Sequence, residues 1–221
     1  MRCVLVLRPE PGASLTVDRA RERGLDAVSV PLFDVEPVGW KAPGAAGFDG
    51  LLLTSANAVR HAGAELETLV SLPVYAVGEA TAEAARDNGF TIAATGNAGV
   101  ERLLRSIEGE KRLLHLCGEH RQELGEEQHE VIAIPVYAAR IVQGPDLGAA
   151  QGAVALIHSP RSGSRFAQLV DARSSIAIAA ISPAAAEAVG SGWETVGTAP
   201  EPTDKALLAL AARLCNIPAP E

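Results

Sequence analysis

Short apolar runs alternate with longer amphipathic stretches along most of the chain. The runs are bounded by Gly, Pro, Ser or Asn and predict strands at 4–7, 27–31, 50–54, 74–77, 91–94, 113–116, 131–134, 154–158, 176–181 and 194–196. Many of them carry apolar residues without alternation, the pattern of strands buried on both faces of a parallel sheet. Helix-length stretches lie between them at 14–23, 80–88, 100–107, 161–170, 184–189 and 203–214. Thr203 is placed to cap the last of these, with Asp204 in its first turn, and Gly24 and Gly89 stand where helices should stop. The expected class is α/β with parallel sheets.

Composition narrows the picture. The chain has 221 residues, room for one large domain or two small ones of about 100 residues each. An apolar share of 48% excludes a disordered chain, and no apolar run approaches the ~20 residues of a membrane span. The start of the chain has no basic region followed by a long apolar stretch, so no secretory signal is expected. Net charge is −8, from 19 basic and 27 acidic residues, which argues against nucleic acid as a partner. Cys3, Cys117 and Cys215 are odd in number and lack CxxC spacing, so reduced thiols in the cytoplasm are expected and a structural zinc site is not. The tail, 217–221, reads as disordered.

The chain also repeats itself. VPLF at 30–33 returns as IPVY at 134–137, and LLTS at 52–55 returns as LIHS at 156–159. AVGEATAEAA at 76–85 returns as AISPAAAEAV at 180–189, and Leu103–Leu104 return as Leu207–Leu208. All four matches share an offset of 104 residues, as two copies of one five-strand unit would. In each copy the second strand runs into an extended apolar stretch, at 32–38 and 136–142, with no helical period. Read as paired crossovers, these give a discontinuous domain of residues 1–34 plus 140–221 and an inserted domain of 38–135. Two consecutive beads divided near residue 108 are the alternative.

Strong catalytic motifs are absent: no GxGxxG after a strand, no GxxxxGK followed by Ser or Thr, no HExxH and no GxSxG. His115 and His158 fall inside strand patterns and read as core or rim histidines. His120 and His129 lie in a polar stretch, 118–130, that reads as a solvated helix whose carboxylates form no acid–base pair. What remains is small polar residues just past strand ends. Thr54 and Ser55 follow one strand and Ser159 and Arg161 its copy; Thr81 follows the next and Ser182 its copy. Ligands of open α/β sheets bind there, where helix N-termini present free N–H groups to anions. Ordinary N-capping is the other explanation for each loop. Among the arginines, Arg60 and Arg121 lie near such loops, while Arg8 and Arg161 sit within short strand-to-helix turns suited to planar recognition of carboxylates. The alternative for each is a surface ion pair worth less than ~1 kcal/mol. Tyr137 ends the second crossover where the first copy has Phe33, so packing of the repeat does not require its hydroxyl; a buried hinge aromatic is its alternative reading.

These segments in order resemble the uroporphyrinogen-III synthase family. The carrying residues are Arg8-Pro9, LLLTSANAV at 51–59, PVYAVGEATAEAARDNGF at 73–90, LHLCGEHRQEL at 114–124, IPVYAARI at 134–141, ALIHSPRSGSRFAQL at 155–169 and IAAISPAAAEAV at 178–189. The resemblance implies two similar, flavodoxin-like parallel-sheet domains joined by a two-stranded connector, the first domain discontinuous. It implies cyclisation of the linear tetrapyrrole hydroxymethylbilane, with loss of water and inversion of ring D, to give uroporphyrinogen III in porphyrin biosynthesis. No cofactor and no metal are implied. Tyr137 matches a tyrosine that assists departure of the hydroxyl, and Ser55, Thr81 and Ser159 match binding residues. The family often has Thr where this chain has Ala184 or Ala185, so one ligand hydroxyl is missing, with Ser182 or a backbone amide to replace it. The expected partner is the small-molecule substrate alone: no nucleic acid, no membrane and a monomeric protein. A two-lobed tetrapyrrole-binding or regulatory module without turnover is the alternative.

Overall fold

The computed structural model describes residues 2–96, 99–121, 124 and 128–216. The chain divides into two compact units, one of Met1–Asp34 with Ile141–Glu221 and the other of Val35–Arg140.

The first unit holds a five-stranded sheet of β1 (Val4–Val6), β2 (Ala27–Ser29), β9 (Val154–Ile157), β10 (Ala177–Ala180) and β11 (Thr195–Thr198). Its order is β2-β1-β9-β10-β11, and every neighbouring pair is parallel. Residues of β1, β9 and β10 are buried throughout, as strands covered on both faces must be, while β11 at the edge alternates half-buried and exposed positions. Helices α1 (Gly12–Glu22) and α7 (Asp204–Cys215) pack on one core built from Val4, Val6, Val17, Leu207, Leu208 and Leu214 among others. Helices α5 (Pro160–Leu169) and α6 (Pro183–Ala188) complete the unit.

The second unit holds β3 (Phe33–Pro37), β4 (Gly50–Leu53), β5 (Val74–Val77), β6 (Ile92–Gly96), β7 (Arg112–Gly118) and β8 (Glu130–Ile141), in the order β3-β8-β7-β4-β5-β6. The β8-β7, β7-β4, β4-β5 and β5-β6 pairs are parallel. Helices α2 (Ala56–His61), α3 (Glu79–Asp87) and α4 (Val100–Arg105) follow β4, β5 and β6.

The 104-residue repeat is visible in the backbone. Strand β9 occupies the positions of β4 shifted by 104, and helix N-caps Ser55, Gly78 and Gly99 return as Ser159, Ser182 and Thr203 at the same shift. Numbering strands within one copy, both sheets have the order 2-1-3-4-5, but each takes strands 1 and 2 from one copy and 3 to 5 from the other. Strand β3 is added outside β8.

Strand β3 forms within the stretch 32–38, and the stretch 136–142 continues β8, whose pairing with β7 runs from Glu130 to Tyr137; β3 and β8 are neighbours in the sheet. One expectation changes. The polar stretch 118–130 carries no helix in its described residues, and His129 is buried, its Nε2 2.9 Å from the Leu104 carbonyl. The tail at 217–221 and the rest of that polar stretch lie outside the described residues.

Candidate active site

A sheet of order 2-1-3-4-5 changes direction between strands 1 and 3, and the loops beyond those strands diverge to leave a crevice. Strands β7 and β4 flank this point in the second unit, and β1 and β9 in the first. Most of the candidate residues fall at these two places.

In the second unit Thr54 and Ser55 follow β4, and Ser55 caps α2 by accepting the Asn57 N–H at 3.2 Å. An N-cap uses the oxygen lone pair, so capping leaves the hydroxyl proton available. The Tyr137 hydroxyl lies close enough to Ser55 for that side chain to act on its ionisation. Burial pushes the Tyr137 phenol up, against the pull of that Ser55 contact, so at neutral pH it keeps its proton. The ring lies across Gly118, where a methyl group would sit 2.9 Å from its Cε2 and Cζ; only glycine leaves that space. The His61 ring is 6.3 Å from it, centroid to centroid.

Beside Thr54 sits a residue that the sequence marks as a core or rim histidine. His115 of β7 is buried, and its Nε2 is 3.0 Å from Thr54 Oγ1. Burial, then the Arg121 guanidinium, push the imidazole down to about 4, so it is neutral. Cys117, two residues on, is also buried, which raises its thiol against the opposing effect of Arg121. Both arginines are exposed, but Arg121 lies near enough to act on His115 and Cys117, whereas Arg60 reaches Asn57. Thr81 is buried in the first turn of α3, beyond β5.

The first unit is organised around a carboxylate. Asp204 opens α7 behind the Thr203 cap and accepts hydrogen bonds from Thr16 Oγ1 at 3.0 Å, Arg19 at 3.0 Å and His158 Nε2 at 3.2 Å. Arg8 stands 4.0 Å from the same carboxylate, its guanidinium filling the space a side chain at Gly12 would need. Burial pushes the Asp204 carboxyl up, but the bonds from His158, Arg19 and Thr16 outweigh it and hold it well below the usual carboxylate range. Burial likewise pushes His158 down, despite Asp204 beside it. Thr16, His158 and Asp204 come from three distant parts of the chain, so no spacing in the sequence reveals the cluster.

Ser159 caps α5 in a reciprocal box with Ser162, whose hydroxyl is 3.0 Å from its own; unlike Ser55, its proton has an acceptor inside the turn. Arg161 lies over the Phe33 ring at 4.4 Å, and Ser182 caps α6 through the Ala185 N–H at 3.3 Å. Ala185, fully buried, occupies the position that Thr81 holds in the other unit. Thus Thr54, Ser55 and Tyr137 are brought together, Arg8 and Ser159 flank the other switch point, and Thr81 and Ser182 each stand one strand further along. Among the described residues no group of three or more His, Cys, Asp or Glu is arranged to hold a metal ion, and no helix is long and apolar enough to cross a membrane.

Comparison with known proteins agrees with this architecture. Over 97% of its length the chain superposes on uroporphyrinogen-III synthetase from Helicobacter pylori 26695, covering 100% of that chain with a TM-score of 0.66 at 17% identity. It superposes on a mutant uroporphyrinogen III synthase of Thermus thermophilus with a TM-score of 0.54 at 15% identity, covering 97% and 99% of the two chains. At these identities the likeness establishes the fold. A uroporphyrinogen-III synthase of Chlorobaculum parvum is 34% identical over 101 residues, a match spanning 42% of this chain and 41% of that protein. The family model described as Uroporphyrinogen-III synthase HemD matches residues 14–209, from α1 into α7, and the chain therefore belongs to the uroporphyrinogen-III synthase family.

Proposed function

We propose that the chain is a cyclising hydro-lyase of porphyrin biosynthesis, closing hydroxymethylbilane with inversion of ring D and loss of water to give uroporphyrinogen III. The single observation that carries this reading is the Tyr137 ring lying against Gly118, near Ser55, at a switch point of a chain that matches the family from residue 14 to 209.

The chemistry asks for little reactive power. Departure of the hydroxyl needs a proton donor, and a phenol whose pKa is raised by burial retains that proton at neutral pH. The cationic azafulvene that results then closes on whichever carbon of ring D is held nearest, so isomer choice is a matter of positioning. In this reading Tyr137 is catalytic. Thr54, Ser55 and Thr81, with Arg8, Ser159, Arg161 and Ser182, bind the eight carboxylates of the substrate. Arg8 and Arg161 supply positive charge locally in a chain of net charge −8. Neither metal nor cofactor enters these steps. The three free cysteines fit a reducing cytoplasm, and the proposal takes the protein as a monomer.

The test supplies freshly made hydroxymethylbilane and measures the III:I isomer ratio of the product. Mostly isomer III supports the proposal. Isomer I in the proportion formed without protein refutes it, and a melting-temperature shift by tetrapyrrole in that case identifies a binding module.

A further inference from the structure

Thr54, just past the end of β4, and His115, in the middle of β7 and registered opposite Leu52, are 61 residues apart in the chain but neighbours in space. Thr54 is half-buried, with its Oγ1 3.0 Å from His115 Nε2, whereas His115 is only 2% exposed. The Nδ1 of His115 is buried and has no hydrogen-bond partner among the described residues. A neutral imidazole carries one N–H and one bare nitrogen. With the proton on Nδ1, a buried donor would be orphaned, and orphaned donors are rarer than under-used acceptors. With the proton on Nε2, the N–H donates to Thr54 Oγ1 and leaves the bare nitrogen at Nδ1. The threonine oxygen then serves as acceptor on its buried side, and its own O–H is released toward the open side of the rim.

We infer that His115 is a positioning residue that holds Thr54 as a hydrogen-bond donor to an anionic group of the ligand, a carboxylate. This rests on the proposed placement of Thr54 in substrate binding. The imidazole itself touches no substrate; it decides which way the threonine proton points. An aliphatic residue at 115 would fill the same space and leave the hydroxyl free to turn inward.

Two measurements test it. In the ligand-free protein at neutral pH, nitrogen-15 NMR of the imidazole is expected to show the proton on Nε2 and a bare Nδ1; the opposite tautomer overturns the inference and needs no variant to fold. In turnover of hydroxymethylbilane, His115→Leu is expected to raise KM roughly tenfold, the scale of one lost hydrogen bond to a charged group, with kcat nearly unchanged. His115→Gln, whose amide N–H can take the place of Nε2–H, is expected to restore most of it. In a Thr54→Val background His115→Leu is expected to add nothing, and an equal rise in that background overturns the inference. The two readings fail differently. If the wild type yields no isomer III, the proposed reaction falls while the tautomer still decides this inference; if the wild type is active but Thr54→Val leaves KM unchanged, this inference alone falls.

Discussion

The two units share a strand order and a 104-residue register, yet their switch points are furnished in opposite ways. Where the first unit has His158, the second has Thr54; where the first has Asp204, the second has Val100. One rim is a charged network, a half-buried carboxylate tied to Thr16, Arg19 and His158 with Arg8 alongside. The other centres on neutral groups, a phenol, two hydroxyls and an uncharged imidazole, with the Arg121 guanidinium near the imidazole. A common scaffold therefore fixes where a ligand meets the chain but not what it meets. In the proposed reading the neutral groups supply the Tyr137 proton together with hydroxyls for carboxylates, and Arg8, Ser159 and Arg161 of the other unit supply carboxylate contacts alone.

Breaking the charged rim is expected to have the largest effect on stability. Asp204→Ala removes the acceptor shared by three hydrogen bonds, leaves His158 and Thr16 unpaired, and is expected to cost about 3–5 kcal/mol in urea unfolding. A loss under about 1 kcal/mol would mean that the network is incidental.

The neutral rim sets an acid limit. His115 is held at about 4 against an ordinary 6.5, so between those values the unfolded chain binds a proton that the folded one refuses. Stability is thus expected to fall as pH drops from 6.5 toward 4, by on the order of 3 kcal/mol from this residue. His158, also pushed down, adds loss in the same direction, whereas Asp204, whose pKa is depressed, contributes stability that fades only below its ordinary 3.8. Urea titrations across this range should be flatter for His115→Gln than for the wild type; superimposable slopes would contradict the assignment.

A smaller change sharpens the comparison of the two serine caps. Ser159→Ala is expected to cost about 1 kcal/mol in stability, since it removes the oxygen that accepts the Ser162 N–H and pairs with the Ser162 hydroxyl. Any accompanying rise in KM measures how far its hydroxyl also serves the ligand.

The strands were legible because β1, β4, β9 and β10 are buried on both faces and leave unbroken apolar runs. The sequence also exposes the repeat and the caps at Ser55, Ser159 and Thr203, which are local signals. Strand β3 and the far half of β8 were legible as extended stretches but not as sheet members, because half-buried positions at a sheet margin give no clean period. The site was legible only in part. Thr54 and Ser55 can be found from the loop past a strand end and Tyr137 from its place opposite Phe33 in the repeat, but the pairs Thr54–His115 and His158–Asp204 depend on strand register and on packing between residues 46 to 61 positions apart. Asp204 shows the limit: in sequence it is an acid in a first helical turn, and its other role appears only once Thr16, 188 residues earlier, is beside it. His129 misled for the same reason, since its acceptor at Leu104 lies 25 residues away.

The division of labour is tested most directly by comparing the III:I isomer ratio and the rate for wild type and Tyr137→Phe on fresh hydroxymethylbilane. Loss of the phenol proton is expected to slow turnover about a hundredfold, with the melting temperature unchanged and isomer I rising as the uncatalysed closure overtakes the enzyme. Equal rates and an unchanged excess of isomer III in the variant would contradict a catalytic role for the neutral rim.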